Sequence, residues 1–503
     1  MHNVWIMANP IGSTWLKHKL DLHQHQLTHN SYQGSRPKIQ FEENGSATEF
    51  YAPHYVPEET LTAHLEFAIK YDDLNFDFLK QVFVNIPFEE IDTYIQRNPR
   101  GVSERRIGYL FEFLTNRKLT PRGNTSANYI DLIDNEKYIV GKIQKNRPWL
   151  INDNLLGTQK FCPVIRKSNI LSATLEQDYK GQIEEIKNSF PPEIYRRAVD
   201  YLFAKETRSS YQIEREKPSM ERIDRFITLL QKAGSQPFST LLSESNLTQL
   251  QNEIVDPRYA VTGYRNFQNY IGQTWPDYTQ LIHYICPPPE IINSIMDGLL
   301  ETANKLELIS PITRAAIISF GFVFAHPFED GNGRIHRFLI HDLLTRDQVV
   351  PEGMIIPVSA HMVNHIKEYD AILEQFSGPL MKKVKYDMKD DQSLVVTNQD
   401  EVESYFRYPD LTSQVLYLGR IILATIKNDM QTEIEFLLKY DETKSVIQTI
   451  VDMPGKDTDM MIKLLHQNRG TLAGKKREMF AKLTDQEIKQ MEEAFKQIFN
   501  IPK

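Results

Sequence analysis

Residues Ala315 to Ala325, AAIISFGFVFA, form a nearly apolar run of 11 residues. A helix that crosses a membrane needs about 20, so the run reads as a helix buried in a protein core. His326-Pro327 follows at once. Proline cannot continue the helix, which leaves His326 at its C-terminal end. Next come Gly331 and Gly333, which allow φ > 0 and, lacking side chains, let backbone N–H groups approach an anion. The chain then enters RIHRFLIHDLL, a second helix. The turn therefore faces the positive end of a helix dipole, which makes a phosphate site.

The charged residues around this turn fit the same chemistry. Arg334 and Arg337 are three apart, hence on one helix face, and two guanidiniums suit a polyphosphate better than a single carboxylate. Asp330 is a hard oxygen ligand whose natural cation is Mg²⁺ held jointly with phosphate oxygens. His326 can take a proton near neutral pH. Base, metal ligand, phosphate cradle and charge clamp suit transfer at phosphorus, which is mainly positioning and electrostatics. Helix–glycine turn–helix segments are nevertheless common, and a histidine after an apolar run is more often a satisfied core residue. On residue chemistry alone the phosphate or nucleotide site and the plain turn stand side by side.

With 503 residues the chain has room for about three domains. Its 58 Lys and Arg against 66 Asp and Glu leave a net charge of −8. That argues against a wholesale nucleic-acid coat and leaves only local basic patches open. The cluster Arg469, Lys475, Lys476, Arg477 and Lys482 is one such patch, with a solvated helix face the favoured reading. Cys162 and Cys286 are the 2 cysteines, far apart, so neither a disulfide scaffold nor a Cys-x-x-Cys site is expected. A reducing compartment, most simply the cytoplasm, fits. The start MHNVWIMANPIGSTWLKHKL lacks the pattern of a secretory signal, and no membrane association is expected.

The pattern along the chain predicts a mainly α protein with a small β-hairpin. Residues 1–165 are mixed and read as an N-terminal domain of unknown role, with Ile107, Leu110, Phe111 and Leu114 at helical spacing. Residues 190–388 read as a helical core. Within it, Ser219 is an expected N-cap and Gly234 an expected C-cap. The β-branched and aromatic stretch 259–290, with its GQTWPDY centre and Pro287–Pro289 stop, reads as a hairpin. The charged MKDDQSLVVTNQDEVES suits a linker or exposed turn, and residues 390–503 read as a helical C-terminal region. Tyr369 reads as a core aromatic, with a place near an adenine the alternative. No Gly-x-x-x-x-Gly-Lys-Ser/Thr loop, His-Glu-x-x-His or Gly-x-Ser-x-Gly is present.

The segment HPFEDGNGRIHR, His326 to Arg337, resembles the signature of the Fic (Fido-fold) family at every specified position. The resemblance implies a Fic/Fido helical core with a β-hairpin flap that aligns a target segment by strand addition. It also implies transfer of AMP from ATP to a Ser, Thr or Tyr hydroxyl of a target protein. By position, His326 would be the base, Phe328 the anchor of the loop and Asp330 the ligand of Mg²⁺ or Mn²⁺. Gly331, Asn332 and Gly333 would bind phosphates, Arg334 would clamp the β- and γ-phosphates, and Arg337 would pair with the γ-phosphate. SSYQIER, Ser209 to Arg215, is similar to the family's inhibitory pattern Ser/Thr-x-x-x-Glu-Gly/Asn through Ser210 and Glu214. Arg215 stands where Gly or Asn is usual. The order of N-terminal region, Fic core and helical tail is similar to that of long bacterial Fic proteins. Removal of AMP, transfer of another phosphate-bearing group, or nucleotide sensing without catalysis are the competing functions.

Overall fold

The computed structural model describes residues 9–41, 46–121, 127–275, 280–351, 353–389 and 393–501. Helices dominate, and the strands are short. Among the described residues, no helix is long and apolar enough to cross a membrane.

The N-terminal part packs the helices Leu61–Tyr71, Phe76–Asn85, Phe88–Arg97 and Val102–Thr115 around Phe78, Val82, Phe83, Ile107 and Phe111. The spacing of Ile107, Leu110, Phe111 and Leu114 does place all four inside. Two small three-stranded sheets flank these helices. In one, the central strand Ala47–Tyr51 pairs in parallel with His29–Gln33 and antiparallel with Lys38–Phe41.

The central core is built on the helix Pro311–Ala325. From Ile312 to Ala325 every residue is buried, which explains a sequence with no polar face. Helices Pro289–Lys305, Asn332–Arg346 and Thr412–Ala424 pack around it. The hairpin expected within 259–290 is narrower, Tyr270–Thr274 against Gln280–Ile285, with a register shift between Ile271 and Gly272. Part of its expected centre, 276–279, lies outside the described residues. Ser219 caps the helix Met220–Gln231 by accepting from the Arg222 N–H, and Gly234 takes φ 78° just beyond its end.

The reading of residues 390–503 as one region needs correction. Leu394, Val396, Val402, Phe406, Leu411, Val415, Leu418, Ile422 and Met430 belong to the central core. The charged stretch expected as a linker or exposed turn falls partly outside the described residues, at 390–392, and on either side of it Tyr386–Met388 and Leu394–Val396 pair as two short antiparallel strands. A separate small core starts at Ile447 and runs to Phe495. A π-helical stretch, Thr425–Met430, joins Thr412–Ala424 to the helix Gln431–Ile450.

The N-terminal part and the core share a seam. Cys162 N donates to Arg407 O at 2.8 Å, Val164 N to Pro409 O at 2.9 Å, and Leu411 N to Val164 O at 3.0 Å. Phe161 lies in the central core, and its carbonyl accepts from Thr302 Oγ1 at 2.9 Å.

Candidate active site

The loop between the two buried helices is held by its own short polar residues. His326 ends the first helix in the left-handed conformation, φ 48° and ψ 56°. The Asn332 side chain closes the turn, accepting from Phe328 N at 3.0 Å and donating to Phe328 O at 2.8 Å. Phe328 is fully buried, edge-on to Tyr264. The two glycines do different jobs. Gly331 caps the second helix at φ 92°. Gly333 lies inside that helix, and its lack of a side chain admits a close neighbour: a Cβ there would stand 2.1 Å from Glu214 Oε1.

His326 is half-buried, and its Nδ1 lies 3.3 Å from Val323 O. A carbonyl only accepts, so Nδ1 carries the proton and Nε2 keeps its lone pair. Burial, then the nearby Arg265 charge, lowers its pKa to about 4, against the opposing pull of the Val323 carbonyl, Glu214 and Asp330. The ring is therefore neutral at pH 7.

Both motif arginines are about 1% exposed and occupied by carboxylates. Arg337 Nε donates to Ser210 Oγ at 2.8 Å, and Nη2 donates to Ser210 O at 2.9 Å and to Glu214 Oε1 at 2.8 Å. Burial disfavours its charge, but Glu214, with Tyr369 and Glu206 behind it, outweighs burial and raises its pKa. Arg334 Nη2 meets Asp330 Oδ1 at 2.6 Å and Glu216 Oε1 at 2.8 Å. The Nε and Nη1 of Arg334 are buried and have no hydrogen-bond partner among the described residues. Tyr211 packs its buried ring between Arg334 and Arg222, at 5.4 and 5.0 Å from the centroid.

Ser210, Glu214 and Glu216 come from the end of the helix Pro192–Ile213. Glu214 is its C-cap. Glu216 N donates to Tyr211 O at 3.1 Å and Arg215 N to Gln212 O at 3.0 Å, with Arg215 at φ 58°. This is a Schellman turn, which places its C′ residue in the left-handed region. The preference for Gly or Asn at that place has a physical reason here, and Arg215 occupies it under strain. Arg215 is exposed.

The structure thus gathers every residue singled out by the signature, plus Ser210 and Glu214. Tyr369 is a buried core aromatic beside His336 and next to Arg337. His336 and His341 have separate partners, Ser319 O and Glu206, so the three histidines form no metal set. Two residues had no distinguishing sequence pattern. Glu216 lies two positions from Glu214, which on a continuing helix would face away. Arg265, in the loop before the hairpin, donates to His326 O at 2.9 Å.

The Fic/DOC family model matches residues 241–344. Over 132 residues the chain is 31% identical to "Protein adenylyltransferase fic-1" of Caenorhabditis elegans, covering 26% of this chain and 23% of the worm protein. Over 134 residues it is 29% identical to the protein of that name from Caenorhabditis briggsae, again 26% and 23%. The match therefore spans less than a quarter of these relatives' length. Two solved structures are similar at low identity. A Fic family protein from Desulfovibrio desulfuricans has a TM-score of 0.36 and 15% identity over 67% of this chain and 86% of that one. A Fic domain containing signaling protein from Bacteroides thetaiotaomicron has 0.34 and 18% over 52% and 97%. The family match spans His326, Asp330, Arg334 and Arg337 and stops short of Ser210, Glu214 and Glu216. Residues 241–344 are a Fic domain, and the chain that carries them is a Fic-domain protein.

Proposed function

We propose that the chain transfers AMP from ATP to a Ser, Thr or Tyr hydroxyl of a target protein, and that the end of helix Pro192–Ile213 restrains it. The observation that carries the anion part is Arg334: two of its buried nitrogens have no partner among the described residues, beside the N-terminus of the helix Asn332–Arg346. An unpaired buried donor is costly, and a phosphate oxygen at a helix N-terminus would satisfy it. The relatives' name supports AMP as the group moved.

In this reading His326 Nε2 accepts the proton of the target hydroxyl. The hydroxyl oxygen then bonds to the α-phosphorus, and the bond to the bridging oxygen breaks to release pyrophosphate. Arg334 and Arg337 hold the departing charge, and the N–H groups at the helix start, Gly333 included, bind phosphate oxygens. The Asn332 side chain braces the loop rather than facing the phosphates. Asp330 fits a shared Mg²⁺ or Mn²⁺: its carboxylate is 47% exposed at the turn, and both of its hydrogen bonds fall on Oδ1. Such an ion would neutralise phosphate charge. Glu214 rests over Gly333 and on Arg337, in the space a γ-phosphate would take, so the carboxylate and ATP compete for one clamp.

The test is incubation with α-labelled ATP, Mg²⁺ and a cell lysate, followed by mass spectrometry of the purified chain. An AMP unit gained on the chain or on a lysate protein, and lost in excess chelator, is the expected result. No AMP adduct from the wild type or from Glu214→Gly would overturn the proposal.

A further inference from the structure

Arg265 is 6% exposed and makes no ion pair among the described residues. Its guanidinium is spent entirely on backbone carbonyls. Nε donates to His326 O at 2.9 Å, Nη1 to Phe267 O at 2.7 Å, and Nη2 to Pro287 O at 2.7 Å. Its own N–H donates to Pro327 O at 2.8 Å. Phe267 and Pro287 bracket the hairpin, one before Tyr270 and one after Ile285. One planar fork therefore ties both legs of the flap to the peptide carbonyl of His326.

We infer that Arg265 is a positioning residue that sets the flap and His326 in one fixed relation, so that a hydroxyl held along the flap arrives at His326 Nε2. The inference rests on the transfer reading above. Burying a cation without a counter-ion is expensive, and a simple brace would be cheaper from a neutral side chain. What the guanidinium adds is a rigid fan of donors spanning three chain segments, which a lysine ammonium on a flexible stem does not reproduce. The surrounding contacts agree. Cys286 N donates to Asn269 O at 3.1 Å, Gln268 Nε2 donates to Cys286 O at 2.6 Å, and the Tyr284 hydroxyl donates to Phe324 O. The flap root is therefore tied to the helix that ends at His326 from two directions. Arg265 also supplies a positive charge near the ring, where Glu214 and Asp330 are the opposing charges.

Two variants of the full chain separate the fork from the charge. Arg265→Lys keeps the charge and loses the fan; Arg265→Met loses both. Self-labelling with α-labelled ATP is measured in the Glu214→Gly background. The expected result is a kcat lowered about 100-fold in both variants, the loss typical of a misplaced catalytic group, with the KM for ATP unchanged because Arg265 touches no phosphate-binding residue. Proton titration of His326 is followed by NMR of ¹³C-histidine-labelled chain, with His326→Gln for assignment. The ring should titrate higher in Arg265→Met than in Arg265→Lys. The titration does not depend on AMP transfer, so it still tests the charge relation if no AMP is moved. Unchanged kcat in both variants would overturn the inference. So would an unchanged His326 titration in Arg265→Met, or a loss of activity that follows the thermal melt and returns fully on cooling.

Discussion

Glu216 sits 2.8 Å from Arg334, and two residues earlier Glu214 sits at the same distance from Arg337. One turn of chain delivers a carboxylate to each motif arginine. Removing one should therefore release only half of the clamp. Glu214→Gly is expected to raise AMP transfer, and Glu214→Gly with Glu216→Gln to raise it further. A charge-assisted hydrogen bond is worth roughly 1.5–3 kcal/mol, or about 10- to 150-fold. Both glutamates are about a third exposed, which puts each step near the lower figure. Autoradiography of the wild type, the single and the double variant decides it; equal labelling by single and double variants would mean that the Glu216 carboxylate serves only Arg222, whose Nη2 it meets at 2.8 Å. Arg337→Ala should abolish the gain from Glu214→Gly.

Arg215 at φ 58° offers a test of opposite sign. A left-handed conformation costs a non-glycine residue roughly 1–2 kcal/mol, less the entropy that glycine loses on folding, about 0.5–1 kcal/mol. Arg215→Gly is expected to stabilise the turn, raise the melting temperature slightly and reduce basal AMP transfer. A variant that melts earlier, or labels faster than wild type, would show that the arginine itself supports the turn.

His326→Ala should lower transfer by about 10²–10⁴-fold, the worth of a general base, and leave ATP affinity nearly intact by calorimetry. The ring pKa of about 4 adds a signature. A depressed base is already deprotonated through the neutral range, so the acid limb of kcat/KM should fall near pH 4 and stay flat from about pH 5 to 7. An acid limb centred near 6.5 would contradict the environment described for His326.

Stability carries its own pH signature through His336. The ring is fully buried, Nδ1 donates to Ser319 O at 2.8 Å, and burial lowers its pKa to about 3. The unfolded histidine binds its proton near pH 6.5, and the folded one only near 3. Below 6.5 the unfolded state holds more protons, so stability falls with pH, by about 1.4 kcal/mol per unit, until about pH 3. Urea midpoints of wild type and His336→Asn at pH 7 and pH 5 measure this. Asparagine keeps a donor for Ser319 O and cannot titrate, so its midpoint should drop less.

The legible parts of this chain were those whose physics is local. A proline after an apolar run, a serine before an amphipathic helix and two glycines beside arginines each act within a few residues. The Fic signature, the hairpin and the cap at Ser219 follow from such patterns; Gly234 takes the left-handed conformation two residues past Lys232, the actual C-cap. Arg265 and Glu216 reach the site through His326 and Arg334, which lie far off in sequence, and neither interrupts a periodic pattern. The charged stretch near Asp390 stood open between a linker and an exposed turn, because the two have the same composition. Its neighbours Leu394 and Val396 are alternate residues of a strand buried on one face, and that alternation was the available clue. Gly333 does not take the positive φ that its sequence context suggested; its missing side chain makes room for a carboxylate instead.

The helix Pro192–Ile213 is fastened along its length by residues outside the signature, whereas its end is held at Ser210 and Glu214 by Arg337 of the signature itself. Glu206 is buried against His341 and Ser359, Lys205 meets Glu433, and Arg197 forks onto Asp441. The last turn, by contrast, holds both carboxylates through a strained left-handed residue at the surface. Under the proposed brake, an activating protein need not pry a 22-residue helix from its bed. Grasping the exposed Arg215 and unwinding a single turn would withdraw both glutamates together. A releasing factor would then look like a small local ligand, and its binding surface would be a short acidic groove rather than a long helix-shaped trough.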